Sequence, residues 1–185
     1  NQVWFNDVRV PKANRVGKEN NGWAVAKYLL EFERFSMSSV ELRRLLNRAK
    51  KLAKETEWNG SVLAKDPAFR SKIDSLEIKA LAIEMSESRA LASIESGGSP
   101  GSISSVLSAI GAETLQLADE LGVELAAYYG LPKQPLALEV GHSQFVGPGG
   151  YLPLTPSFLN NRMRTIAGGS SEIQRNIIAK TILGL

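Results

Sequence analysis

Three long runs of apolar residues at helical spacing leave this chain little choice of fold. The first carries Leu42, Leu45, Leu46, Ala49, Leu52 and Ala53 on one stripe, with Arg43, Arg44, Arg48, Lys50, Lys51 and Lys54 mostly off it. The second opens at Asp66-Pro67, an N-cap followed by proline at the first helical position, where a missing N–H costs nothing. Beyond it Phe69, Ile73, Leu76, Ala80, Ile83, Ala90 and Ile94 recur at helical intervals. After Ser99-Pro100 the third runs through Ile103, Val106, Leu107, Ile110, Thr114, Leu117, Leu121 and Leu125. Helices with one apolar side cover it against one another, so the expected class is an all-α antiparallel helical bundle.

The flanks add detail. Val3, Phe5, Val8 and Val10 alternate with Asp7 and Arg9 up to Pro11, which suggests a short strand or extended arm. Residues 1–19 therefore read as an arm, and 20–185 as the helical domain. From Gly130 to about Leu154 periodicity disappears among prolines and glycines, and ordered loops of that size are often functional. Thr155-Pro156 suits the start of a short helix ending near Arg164. Gly168-Gly169 then predicts a turn, followed by a helix capped by Ser171 with Gln174 in a capping box. Ile173, Ile177 and Ile178 are its expected buried stripe and Gly184 its stop. Free amides at such a turn can hold an anion or a polar cofactor edge; an ordinary capped helix is the plainer alternative.

Composition removes several function classes. The 185 residues include no cysteine, so there is no disulfide frame, thiolate nucleophile or zinc-thiolate site, which suits a reducing, cytoplasmic setting. No apolar run approaches membrane-spanning length. The single histidine, His142, has no triad partner at a recognisable spacing. Acidic residues show no metal-ligand spacing, and neither a P-loop nor a G-x-G-x-x-G motif occurs. A net charge of +3 announces no nucleic-acid partner. The basic stripe from Arg43 to Lys54 lacks interleaved aromatics, so a solvated face or a contact to another domain is its expected role, with nucleic acid the other alternative.

Three strings together resemble the acyl-CoA dehydrogenases. Ile166-Ala-Gly-Gly-Ser-Ser-Glu-Ile-Gln-Arg-Asn-Ile-Ile-Ala-Lys180 looks like the family's C-terminal signature. Val3-Trp-Phe-Asn-Asp-Val-Arg-Val-Pro11 with Val16-Gly-Lys-Glu-Asn-Asn-Gly-Trp23 resembles the exit from its middle β-domain. Tyr28-Leu-Leu-Glu-Phe-Glu-Arg34 is similar to the first long helix of its C-terminal domain. With Asn1 rather than methionine in first place, the chain is expected to be a C-terminal fragment of a longer protein.

What the resemblance implies is FAD-dependent α,β-dehydrogenation of an acyl-CoA thioester to a 2-enoyl-CoA, with electrons passing to an electron-transfer flavoprotein. An oxidase of the same kind, or a non-catalytic structural subunit, stays open. Many family members carry the proton-abstracting glutamate in the glycine turn, where this chain has Gly168. Others place it on the first long helix before an arginine, matched here by Glu33-Arg34. The resemblance makes Glu33 the catalytic base and Arg34 a contact to the CoA portion. For each, a salt bridge on a solvated helix face is the alternative. The Gly168 amide is implied to polarise the thioester carbonyl, which needs no side chain. Gly168, Gly169, Ser170 and Glu172 match the positions that bind flavin, although the family often has Thr and Gln at the last two. Two further flavin features are replaced. The Arg-x-x-Phe segment gives way to Thr56-Glu-Trp-Asn-Gly60, and a glycine-rich motif to the loop around Gly141–Gly150. These departures resemble a divergent bacterial branch that includes pimeloyl-CoA and sterol side-chain dehydrogenases. The implied assembly is a homo-oligomer, dimer or tetramer, or a pairing with an unlike subunit.

Overall fold

The computed structural model describes residues 2–35, 38–139, 141 and 144–185. Its helices are α1 (Gly22–Arg34), α2 (Ser38–Glu55), α3 (Pro67–Glu95), α4 (Ile103–Ala126), α5 (Leu154–Asn160) and α6 (Ser171–Ile178). Helix α4 is the axis of the bundle, packing against α1, α2, α3, α5 and α6. Its composition explains this. Ser104, Ser105, Ala109, Gly111, Ala112, Ala118, Gly122 and Ala126 are all buried, and side chains this small let neighbours approach from several sides. A Cβ on Gly111 would lie within 3 Å of the Ser38 side chain of α2, and one on Gly122 would meet Leu154 of α5 at 3.3 Å. The single stripe expected on α4 is thus too narrow a description. Ile110 and Leu117, assigned to it, are exposed, while the small residues between them are covered.

The other stripes are as expected. Leu42, Leu46, Ala49, Leu52 and Ala53 of α2 and Phe69, Ile73, Leu76, Ala80, Ile83 and Ala90 of α3 join Leu107, Leu115, Leu121 and Leu125 in one core. Asp66 caps α3, its Oδ1 accepting from the Phe69 amide at 2.7 Å, with Pro67 in the first turn. Two buried polar contacts fix the bundle. Glu87 of α3 is 2% exposed and accepts from the Ser39 amide at 3.2 Å and from the Ser39 hydroxyl, so a carboxylate sits at the N-terminus of α2 where the dipole favours it. Asp119 of α4 accepts from Asn161 Nδ2 at 2.7 Å. Burial pushes the Asp119 carboxyl above the usual carboxylate range, more than that hydrogen bond lowers it.

The basic stripe on α2 is largely paired within the fold. Arg43 bonds Glu84 and Lys50 bonds Glu77, both on α3, while Arg48 donates to the Gly150 carbonyl. Between α2 and α3 lies a two-stranded hairpin, β1 (Glu57–Trp58) and β2 (Ser61–Val62), paired antiparallel. Asn59 and Gly60 turn it with φ of 49° and 76°, the signature of a type I′ turn.

The N-terminal residues form an extended arm rather than a strand. Only a 3₁₀ turn at Lys12–Asn14 interrupts it, and Val3, Trp4, Phe5, Val8 and Val10 stand exposed. Thr155 does not cap α5; its hydroxyl donates to the Gly130 carbonyl at 2.8 Å and α5 begins at Leu154. A 3₁₀ segment, Asn161–Thr165, completes the expected short helix. Among the described residues no helix is long and apolar enough to cross a membrane.

Candidate functional site

The glycine turn is built by a buried side chain on the helix that follows it. Gly168 and Gly169 take φ of 71° and 109°, which side chains with a Cβ resist. Gln174, 1% exposed, reaches back to donate through Nε2 to the Gly169 carbonyl at 3.2 Å and the Gly168 carbonyl at 3.5 Å. Gly169 lies so close that a Cβ there would stand 2.7 Å from Gln174 Nε2, whereas nothing lies within 4 Å of one on Gly168.

This corrects the expected cap. The N-cap is Ser170, whose Oγ accepts from the Ile173 amide at 3.4 Å, and Ser171 is the buried first residue of α6. Gln174 therefore sits one position too far along for a capping box and clamps the turn instead. Ile173 is exposed rather than buried, because Ser171 and Gln174 occupy the inward side of α6. Gly184, at φ 70°, does end the chain's last helical turn.

Two features of the turn suit a ligand. Gln174 Oε1 is buried with no hydrogen-bond partner among the described residues, an acceptor awaiting a donor. Its neighbouring amides open a helix N-terminus. Glu172 is exposed, and its carboxyl is held below the usual range by its own backbone N–H and by the Ser170 hydroxyl. The position carries a firm negative charge.

Glu33 and Arg34 are the last two residues of α1. Glu33 is exposed, and among the described residues neither forms an ion pair or hydrogen bond through its side chain, so the salt-bridge alternative is not realised for either. The Arg34 Nε is buried without a partner. No direct contact joins them to the glycine turn, yet the bundle brings both regions to one stretch of α4. Ser38, four residues after Arg34, packs on Gly111, while Arg175 of α6 bonds Glu113 two positions further along. Arg164, just before the turn, holds both oxygens of Glu41 in α2 at 2.7 Å. The Gln174 clamp and the Arg164–Glu41 bridge escaped sequence reasoning. A glutamine on the inward side of a helix one turn beyond Gly-Gly is the signal for the first; nothing in sequence spacing marks the second.

At the far end of α4 a cleft of about 830 Å³ opens between the hairpin, the start of α3 and the Tyr128-Tyr129 pair. Tyr129 stacks on Tyr151 with ring centroids 5.8 Å apart, and the Thr56 and Tyr151 hydroxyls bond at 2.5 Å. His142 and part of the loop around it lie outside the described residues. Groups of His, Cys, Asp or Glu able to hold a metal are absent among the described residues.

Comparison with known proteins gives a consistent result. The family described as "Acyl-CoA dehydrogenase, C-terminal domain" matches residues 20–183. An acyl-CoA dehydrogenase of Mycobacterium tuberculosis, IpdE1, is 32% identical over 193 residues, covering 100% of this chain and 44% of that protein. Acyl-CoA dehydrogenase FadE34 of the same organism is 27% identical, covering 100% of this chain and 23% of that protein. Butyryl-CoA dehydrogenase from Megasphaera elsdenii has the same fold, with a TM-score of 0.78 at 17% identity over 97% of this chain and 43% of that one. The chain thus spans less than half the length of these relatives.

Proposed function

The chain belongs to the acyl-CoA dehydrogenase family, and on that premise we propose that it is the C-terminal part of an FAD-dependent enzyme oxidising an acyl-CoA thioester to a 2-enoyl-CoA. Residues 1–19 are then the exit arm of another domain and 20–185 the C-terminal bundle, a division supported by a family match that begins at residue 20. The exposed apolar arm is in keeping with this, since Val3, Trp4 and Phe5 need a surface to cover them. Electrons would leave to an electron-transfer flavoprotein in the cytoplasm. Exposed Ile78, Leu81 and Met85 along α3 support assembly into a dimer or larger oligomer.

The observation that carries the reading is the clamped turn. Gln174 fixes the Gly168 and Gly169 carbonyls, so the amides on the opposite side of the same peptides are held in place. The Gly168 amide can then hold a thioester oxygen as charge builds on it, with no reorganisation at the moment of reaction. Glu33 is the side chain that removes the α-proton; its exposure leaves room for substrate, and an acyl chain laid over it would exclude water and strengthen it as a base. Arg34 approaches the CoA portion with a guanidinium whose Nε still lacks an acceptor. Ser170 and Glu172 flank the flavin position with Gly168 and Gly169. FAD, when bound, supplies the acceptor for the β-hydrogen and its electron pair.

The test is anaerobic mixing of the flavin-loaded full-length protein with saturated acyl-CoA thioesters. Bleaching of the visible flavin band is expected, and its absence with short, long and sterol-derived thioesters would refute the reading. A second reading, a non-catalytic subunit of a mixed assembly, draws on Gly168, where the turn offers no carboxylate.

A further inference from the structure

The two segments in which the family resemblance expected additional flavin contacts meet at one place in the fold. The Thr56–Gly60 segment forms the hairpin, and the glycine-rich loop reaches the same cleft through Pro148, with Tyr151 just beyond. Sequence separation hid this convergence. What the cleft offers is chemically the reverse of an anion site. Its lining includes Glu55, Glu57, Asp66 and Glu124 and no lysine, arginine or histidine.

Those carboxylates differ in how far they are already satisfied. Glu124 is held by Lys72 Nζ, at 2.6 and 2.7 Å, from outside the lining. Asp66 Oδ1 is occupied by the Phe69 amide. Glu55 and Glu57 are exposed and form no ion pair among the described residues, so their charges face the cleft uncompensated. The nearby Arg48 of α2 is turned to the Gly150 carbonyl instead. The Tyr151 and Thr56 hydroxyls bond each other. A diphosphate entering here would meet acceptors and negative charge, with no cation or free donor to replace its hydration.

We infer that this cleft does not hold the diphosphate of a dinucleotide cofactor, so a second copy of this chain cannot complete a flavin site through it and an unlike subunit has to. The inference rests on the proposed flavin-dependent function, but its readout needs no turnover. ADP serves as the probe and the Trp58 indole N–H as the reporter, assigned in the NMR spectrum of the full-length protein by its loss in Trp58→Phe.

The unmodified protein should show no saturable Trp58 shift with millimolar ADP. The Glu55→Lys, Glu57→Arg double variant should show one, with at least about tenfold gain in affinity, the change expected from about 1.4 kcal/mol of altered electrostatics. Both residues are exposed, so the exchange leaves the core intact. Saturable binding by the unmodified protein, or no gain in the double variant, would overturn the inference. So would retention of one FAD per chain through gel filtration by the protein purified without any other subunit. Failure of acyl-CoA to bleach a flavin held by a mixed assembly would instead count against the proposed reaction.

Discussion

Replacing Gly169 with alanine should destabilise the fold far more than the same change at Gly168, although the two glycines are adjacent and both have positive φ. The common cost is the left-handed backbone, about 1–2 kcal/mol for a residue with a Cβ. At Gly168 little else is added, since nothing lies within 4 Å of the new methyl group. At Gly169 the methyl carbon would stand 2.7 Å from Gln174 Nε2. Gln174 is 1% exposed and cannot swing into solvent, so it must shift and give up its bonds to the two carbonyls. Each such bond contributes about 0.5–1.5 kcal/mol, which makes Gly169→Ala worse than Gly168→Ala by about 1–3 kcal/mol. Urea unfolding of the two variants measures the difference, provided the slope with denaturant is unchanged. In a Gln174→Ala background the difference should shrink toward zero, as a coupled pair requires. Equal destabilisation by the two alanines, or a difference that persists without Gln174, would refute the clamp.

Two further outcomes follow from the bundle itself. Because burial raises the Asp119 carboxyl above its ordinary value of 3.8, its ionisation opposes folding: the penalty is absent below that value and grows as pH rises through the folded-state pKa. Asp119→Asn keeps an acceptor for Asn161 and removes the charge, so thermal unfolding should show little gain in acid and a gain that grows and then levels off toward neutral pH; a gain independent of pH would contradict this. Exposed apolar residues on α3 and α6, among them Leu81 and Ile173, should drive self-association, so sedimentation at micromolar concentration should find at least a dimer, and a clean monomer would remove the argument.

Much of this fold is written locally. Asp66-Pro67 marks the start of α3 because the cap needs only its own four residues, and α2 and α3 bury the stripes that their periodicity displays. Asn59-Gly60 also announces its hairpin, though the surrounding helical pattern drew attention away from it. Helix α4 was misread because a central helix buries small residues on several sides, and glycine, serine and alanine carry little weight in an apolar pattern. The terminal motif showed its turn but not its cap. Ser170 and Ser171 are both competent, and only the packing of Gln174 against Gly169 decides between them. Glu33, Arg34 and the turn lie more than a hundred residues apart in the chain, and their approach along α4 depends on tertiary contacts such as Ser38 with Gly111. The acidic cleft is legible only once hairpin and loop are brought together.

The central claim is that Glu33 is the base, and Glu33→Gln in the flavin-loaded full-length protein tests it most directly. Glutamine keeps the size and hydrogen bonding of the side chain but cannot accept the proton. Glu33 is exposed and holds no partner among the described residues, so folding, flavin content and acyl-CoA affinity should be unchanged. Stopped-flow bleaching of the flavin by substrate should slow by at least about 10²-fold, the least that loss of general-base catalysis costs. Bleaching at a rate near that of the unmodified protein would contradict the account, because Gly168 has no side chain to take over the proton.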